Sequence, residues 1–209
     1  MVGKGRLVGI ILILSVGLAA SSCRPSLGDR FRDPSERLAG SWRVEGYSSK
    51  ALANIVVAAL VKDPSLRIVI ENAFVDRFSA QGLRASVSAL MIDDPQRLLD
   101  AAVVVEMLRN GRYDGVLAVS VQDLGDVMAG VTKVTPWGQE GLFTGTKDLQ
   151  GRRMVRLQAT LREAGGLGAL WAAASNPYYQ AEMEQDVSVF ADLCAAAARE
   201  QRVLQPSRP

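Results

Sequence analysis

The chain has 209 residues, of which 24 are Lys or Arg and 22 are Asp or Glu, so its formal net charge is +2. This near-neutral balance lacks the basic footprint of nucleic-acid-binding proteins, and the absence of histidine removes the most common general base and metal ligand. The length suits one domain with a core of its own. We therefore expect no nucleic-acid partner, no metal site and no cofactor.

The first 22 residues have the pattern of an export signal. Lys4 and Arg6 precede an apolar run, Leu7 to Ala20, that is shorter than the roughly 20 residues of a membrane span and typical of a signal-peptide core. Small residues at 19–22 provide a cleavage site before Cys23. We expect residues 1–22 to be removed, which leaves a formally neutral mature chain because both lost charges are basic.

A cysteine directly after small residues resembles the lipobox of bacterial lipoproteins. The resemblance implies acyl chains such as palmitate on Cys23, which would anchor the protein stably without a transmembrane helix. Ala20 departs from that pattern, in which Leu, Val or Ile is usual, so an ordinary signal cut near Ala20 stays open. Arg24, where an Asp would retain a lipoprotein in the inner membrane, implies the inner leaflet of the outer membrane, facing the periplasm.

Residues 23–40 mix charge with Pro, Ser and Gly and are predicted to be a lipidated tether. The folded domain is expected over 41–209. The apolar run Ala53 to Val61 predicts a strand buried on both faces. Asp63 and Pro64 then begin a helix that Gly82 ends.

Residues 83–92 predict a second strand, and Asp93-Asp94-Pro95 repeats the capping pattern. A single helix is expected from there to Asn110-Gly111, with one apolar side formed by Leu98, Ala101, Ala102, Val105 and Leu108. A third strand follows at 115–124. The order β-α-β-α-β indicates an α/β domain of two or three layers.

The regular order stops at residues 125–152, a Gly-rich excursion that contains Trp137 and Phe143. Excursions of this length often carry binding residues. The alternating residues 153–163, with Arg156, Gln158, Thr160 and Arg162 on the polar side, predict a half-buried antiparallel strand. Residues 167–175 are expected to form its hairpin partner. A helix over about 182–203 closes a mixed sheet.

Most candidate chemical residues have a structural interpretation. Arg67 and Glu71 are predicted to be a solvated i,i+4 pair, and Asp93-Asp94 to be helix caps rather than a metal or acid–base pair. Ser120 and Ser188 have no histidine to activate them. Trp171 and Cys194 are expected in the core. The candidates for partner binding are Trp137, Phe143, Tyr178 and Tyr179, because Trp and Tyr are enriched at interface hot spots.

The segment DPSLRIVIENAFVDRFSAQGLRA resembles one found in bacterial envelope lipoproteins. The matching positions are Asp63, Pro64, Arg67, Glu71, Phe74, Phe78, Gly82 and Ala85, and Gly168, Leu170 and Trp171 match a later strand of that group. The chain is also similar to the small α/β domains of the penicillin-binding-protein activator LpoB, the curli-secretion lipoprotein CsgG and the amino-terminal domain of TolB. This resemblance implies an accessory protein of the envelope, and no catalytic motif comes with it.

The sequence therefore favours a non-enzymatic, lipid-anchored protein that binds another envelope protein. The main alternative is a periplasmic small-ligand module with a pocket at the strand ends near Lys62, Gln122 and Asp123. A third hypothesis, an enzyme that uses carboxylates without histidine, would depend on Asp93 or Asp123. The residues leave the oligomeric state open.

Overall fold

The computed structural model describes residues 38–44, 51–123, 154–165 and 168–206. The elements in chain order are β1 (Leu38–Arg43), β2 (Asn54–Ala59), α1 (Pro64–Ala80), β3 (Arg84–Val87), α2 (Ala101–Gly111), β4 (Gly115–Asp123), β5 (Met154–Glu163), β6 (Ala169–Ser175), β7 (Tyr178–Tyr179) and α3 (Met183–Glu200). Short 3₁₀ turns cover Ser88–Leu90, Pro95–Leu99 and Gln180–Glu182. The predicted signal segment, Cys23 and the excursion with Trp137 and Phe143 lie outside the described residues.

The strands form one mixed sheet in the order β3-β2-β4-β5-β6-β1. β2 is parallel to β3 and β4, whereas the β4–β5, β5–β6 and β6–β1 pairs are antiparallel. After the break at Asn176-Pro177, β7 continues along the same side of β5, with Tyr178 opposite Val155 and Tyr179 opposite Met154. The predicted α/β class, mixed sheet and β5–β6 hairpin are confirmed.

α1 follows local sequence signals from end to end. The Asp63 carboxylate accepts hydrogen bonds from the backbone N–H groups of Ser65 at 2.8 Å and Leu66 at 3.3 Å, which caps the helix. Pro64 occupies the first turn, where a missing N–H costs nothing. Beyond the helix end, Gly82 adopts a φ of 76°, a left-handed conformation that favours glycine.

The larger core lies between the sheet and the pair α1 and α3. It joins apolar side chains of β2, β4, β5 and β6 to the inner faces of both helices. Phe74 of α1 meets Phe190 of α3 edge to face, with ring centroids 6.0 Å apart. Cys194 is fully buried here, as predicted, and burial raises the pKa of its thiol well above the ordinary value.

The smaller core lies on the opposite face of the sheet, under α2. Val56 and Ala58 of β2, Leu60 directly after it, and Val116 and Ala118 of β4 contribute to it. They pack against Ile92, Leu98, Val104, Met107 and Leu108. Helices on both faces make the domain three-layered. β2 is buried on both sides, which agrees with its continuous apolar sequence.

The single helix predicted after Pro95 is wrong. Asp94 caps the 3₁₀ turn by accepting a hydrogen bond from Gln96 N at 2.9 Å, and Asp100 then caps α2 by accepting one from Ala102 N at 2.8 Å. This second cap changes the phase of the helix. The buried residues of α2 are therefore Val104, Met107 and Leu108, whereas Ala102 is exposed.

β1 is an edge strand that the sequence did not predict. It begins at Leu38, so residues 38–40 belong to the strand and not to the predicted tether. Its partner is β6, with Trp42 opposite Ala172. The segment LAGSWR has no clear apolar pattern that would predict a strand. It forms one because it pairs with a strand about 130 residues away in the sequence.

Candidate functional site

Only one of the two predicted binding tyrosines is available at the surface. Tyr178 is 5% exposed and belongs to the larger core, whereas Tyr179 is 48% exposed. The two residues point to opposite faces because successive side chains of a strand alternate. The expectation that both tyrosines bind a partner is therefore wrong for Tyr178. Trp171 is 1% exposed, which confirms its predicted place in the core.

Tyr179 belongs to a group of exposed apolar residues that we call the aromatic face: Trp42, Val44, Met154 and Tyr179. Their exposed fractions are 50%, 45%, 42% and 48%. Trp42 pairs with Ala172 and Tyr179 with Met154, and the neighbouring residues Trp171, Val155 and Tyr178 point into the larger core. Alternation therefore places the aromatic face on the α2 side of the sheet.

The aromatic face lies on the half of the sheet that α2 does not cover. Among the described residues, the buried cluster under α2 contains no residue of β1, β5, β6 or β7. Trp42 is opposite Ala172 of β6, which is itself opposite Thr160 of β5. Tyr179 is opposite Met154 of β5. The six-residue step along β5 separates the two aromatic side chains by about 20 Å. That separation fits within one side of an ordinary protein–protein interface, which covers about 800 Å².

A row of polar side chains lies beside the aromatic face. In the β4–β5 pair, Gln122 is opposite Arg156 and Ser120 is opposite Gln158. Gln122 Nε2 donates a hydrogen bond to Gln158 Oε1 at 2.6 Å. The period-2 pattern of β5 already placed Arg156 and Gln158 on one side. What the sequence missed was their pairing with Ser120 and Gln122, because it gave no register.

Among the described residues, Gln122 and Asp123 of the predicted pocket do not lie on the same face of the sheet. Gln122 and Asp123 are consecutive residues of β4, so their side chains point to opposite faces of the sheet. Asp123 is opposite Val155, a residue of the larger core, and Gln122 is on the α2 side. The structure instead brings Gln122 together with Gln158 of the neighbouring strand.

A second polar group, Arg67 and Glu71, proves to be buried, and the prediction of a solvated pair is wrong. The two side chains are 2% and 0% exposed, and Arg67 Nε donates to Glu71 Oε1 at 2.9 Å. Arg67 also donates to Ser88 Oγ at 2.9 Å and to the backbone carbonyl of Asp93 at 3.1 Å. Asp93 thus contributes its main chain here, and Asp94 is the residue of that pair that caps.

Glu71 accepts hydrogen bonds through both carboxylate oxygens. Its Oε1 accepts from Ala59 N at 3.1 Å and from Ser88 Oγ at 2.7 Å, and its Oε2 accepts from Ala89 N at 2.8 Å. These bonds join α1 to the ends of β2 and β3. Because the carboxylate is fully bonded and enclosed, the group is a structural connection rather than a site open to substrate.

The described residues were also compared with the requirements of a metal site, a membrane-spanning helix and a ligand cavity. They contain no group of three or more His, Cys, Asp or Glu side chains arranged to hold a metal ion. No helix within the described ranges has the length and apolar character needed to cross a bilayer. A groove of about 380 Å³ lies between α2 and the preceding turns, with Met91, Arg97, Glu106 and Met107 in its lining. Its described lining includes neither Tyr178 nor Tyr179.

Comparison with known proteins gives little information on identity. No protein-family model matches the chain, and no curated protein sequence matches it. Among solved structures, two dodecamers of PelC from Paraburkholderia phytofirmans, one with a single substitution, have TM-scores of 0.44 and 0.42. Both are 14% identical to this chain, and the matches cover 80% and 79% of it and 99% of the PelC chain.

Proposed function

We propose that this chain is a non-enzymatic lipoprotein of the bacterial envelope that acts as a binding or accessory component for another envelope protein. Lipid on Cys23 is its membrane anchor, and the inner leaflet of the outer membrane, facing the periplasm, is its location. The aromatic face is its binding surface. The observation that carries this proposal is the exposure of Trp42 and Tyr179 on one face of the sheet.

The chemistry of the aromatic face supports protein binding. Trp and Tyr bury a large apolar area and still offer a hydrogen-bonding group, and they dominate the energetics of many interfaces. Trp42 is 50% exposed and Tyr179 is 48% exposed, which leaves much apolar area for a partner to cover. Arg156 and Gln158 beside them are partly exposed and supply polar contacts.

The length of the chain between anchor and domain supports the proposed arrangement. Cys23 precedes the start of β1, Leu38, by 15 residues. Fifteen residues can span at most about 50 Å. β1, which carries Trp42, is the described strand nearest in sequence to the anchor. A partner in or near the same membrane would therefore be within reach of the aromatic face.

The anchor is tested by intact mass and membrane partition of the mature protein, with Cys23→Ala as the matched variant. We expect the wild type to carry a triacyl mass and to partition into membranes. Cys23→Ala should give a soluble protein whose domain unfolds at the same temperature as that of the wild type. A wild-type protein that is cut near Ala20 and remains soluble would contradict the lipoprotein proposal.

A further inference from the structure

We infer that Ser120, Gln122, Arg156 and Gln158, which we call the polar site, bind a small carboxylate. The inference goes beyond the proposed function, since it requires neither a lipid anchor nor a protein partner. It depends on three observations: the buried Ser120 hydroxyl has no hydrogen-bond partner among the described residues, the Arg156 Nε has none either, and this part of the sheet carries a positive charge.

The first observation is the state of the Ser120 hydroxyl. Ser120 is 1% exposed, and its Oγ forms no hydrogen bond with any described residue. A buried hydroxyl without a partner costs about 1–3 kcal/mol, so folded proteins rarely keep one. Its position opposite Gln158 directs it into the polar row on the α2 side of the sheet. A bound group that accepts a hydrogen bond there would remove the cost.

The second observation concerns Arg156. Its Nε is buried and donates no hydrogen bond to a described residue, while the side chain as a whole is partly exposed. A guanidinium is permanently charged, and its planar set of N–H groups matches a carboxylate in two parallel hydrogen bonds. Arg156 is thus a partly exposed cation whose buried Nε has no hydrogen-bond partner among the described residues.

The charges of the surrounding strands favour an anion. Asp123 is the acidic residue of β4 and Glu163 that of β5, and alternation places both on the opposite face of the sheet from Arg156. β1, β6 and β7 contain no acidic residue. The strands therefore place a cation on this face without an acidic residue of their own to balance it.

The donors of the polar site suit a carboxylate. Ser120 Oγ–H, Arg156 Nε–H and the Gln158 amide are donors on neighbouring positions, since directly opposite side chains in an antiparallel pair start about 5 Å apart. The Gln122–Gln158 bond fixes both amides. The site also lies toward the carboxyl ends of the parallel strands β2 and β4, where ligands of open α/β sheets are usually found.

Glutarate is a suitable probe, because it carries two carboxylates on a short flexible chain, and uncharged glutaramide is its matched control. The full chain, purified in detergent, is titrated with each by calorimetry and by thermal unfolding at constant ionic strength. At ten times the dissociation constant, glutarate should raise the Tm of the wild type by about 3–5 °C. Glutaramide should leave it unchanged.

Variants locate the binding. Arg156→Met should abolish the response, Arg156→Lys should keep part of it, and Ser120→Ala should weaken binding about fivefold. Arg84→Met, which removes an exposed cation from β3, should bind as the wild type does. Heat of binding that is absent at 50 mM glutarate, or that is equal in wild type and Arg156→Met, would overturn the inference. The unpartnered Ser120 hydroxyl would then be an energetic cost that the fold carries without a ligand.

Discussion

The two faces of the sheet differ in how completely they are covered. On one face, β2, β4, β5 and β6 all contribute to a core that α1 and α3 close, with Phe74 and Phe190 in contact at its centre. On the other, among the described residues, α2 and the turns before it cover β2 and β4, and the aromatic face begins where that cluster ends. The first face contains the larger core, which stabilises the fold. The second face leaves the apolar side chains of the aromatic face exposed to solvent.

The largest expected difference comes from truncating an aromatic residue on each face. Phe74→Ala should lower the free energy of unfolding by about 3–5 kcal/mol, because it leaves a cavity in a closely packed core. Trp42→Ala should lower it by only about 1–2 kcal/mol, since half of that residue is already exposed and less apolar area is lost. Urea unfolding of both variants measures the two values. A Trp42 cost equal to that of Phe74 would mean that Trp42 is a core residue.

Two arginines of α1 extend the comparison to charged groups. Arg67 is buried with Glu71, whereas Arg77 and Asp192 form an exposed pair at 3.3 Å, with 46% and 47% of their side chains accessible. Arg67→Ala should cost about 3–5 kcal/mol because it leaves the Glu71 carboxylate buried without its counter-charge. Arg77→Ala should cost about 0–1 kcal/mol. Chemical unfolding of both variants measures the difference.

The Arg67 prediction has a further control in the double variant Arg67→Met/Glu71→Leu. Removing both charges should recover a large part of the stability lost in Arg67→Ala, since no isolated charge remains. If the double variant is as unstable as the single one, the hydrogen bonds to Ser88 and the backbone, rather than the uncompensated charge, dominate the cost.

The smallest expected effect is a pH dependence from Cys194. Burial raises the pKa of the Cys194 thiol above that of the unfolded chain, so the native state holds this proton more tightly. Its contribution to stability is complete below about pH 8.5 and is lost as the pH rises through the folded pKa. Cys194→Ala should show a weaker loss of stability between pH 8.5 and 10 than the wild type. Parallel unfolding curves of the two proteins over that range would contradict the prediction.

The sequence predicted well those elements that local signals determine. Asp63, Pro64 and Gly82 gave both ends of α1, and the continuous apolar run of β2 gave its burial on both faces. Asp100 is also a local capping signal. The prediction of one continuous helix did not include this cap and therefore joined the 3₁₀ turn to α2. For elements of this kind, the residues alone contain enough information.

Features that depend on distant pairing were not predictable in the same way. Arg67 and Glu71 have the spacing of a solvated pair, and only the approach of Ser88 and Ala89 encloses them. Tyr178 and Tyr179 look equivalent until β7 pairs with β5 and alternation separates them. Trp42 was absent from the candidate residues because β1 was unpredicted. The part of the aromatic face that Trp42 and Val44 form is therefore recognised only from the strand pairing of the sheet.

The central claim, that the aromatic face binds an envelope protein, is tested most directly by photocrosslinking in living cells. A photoreactive amino acid replaces Trp42 or Tyr179, and Ser79, on the exposed side of α1, is the matched control position. We predict that positions 42 and 179 give the same crosslinked envelope protein by mass spectrometry, that position 79 does not, and that Cys23→Ala reduces the yield. Equal crosslinking from all three positions, or none from 42 and 179, would contradict the claim.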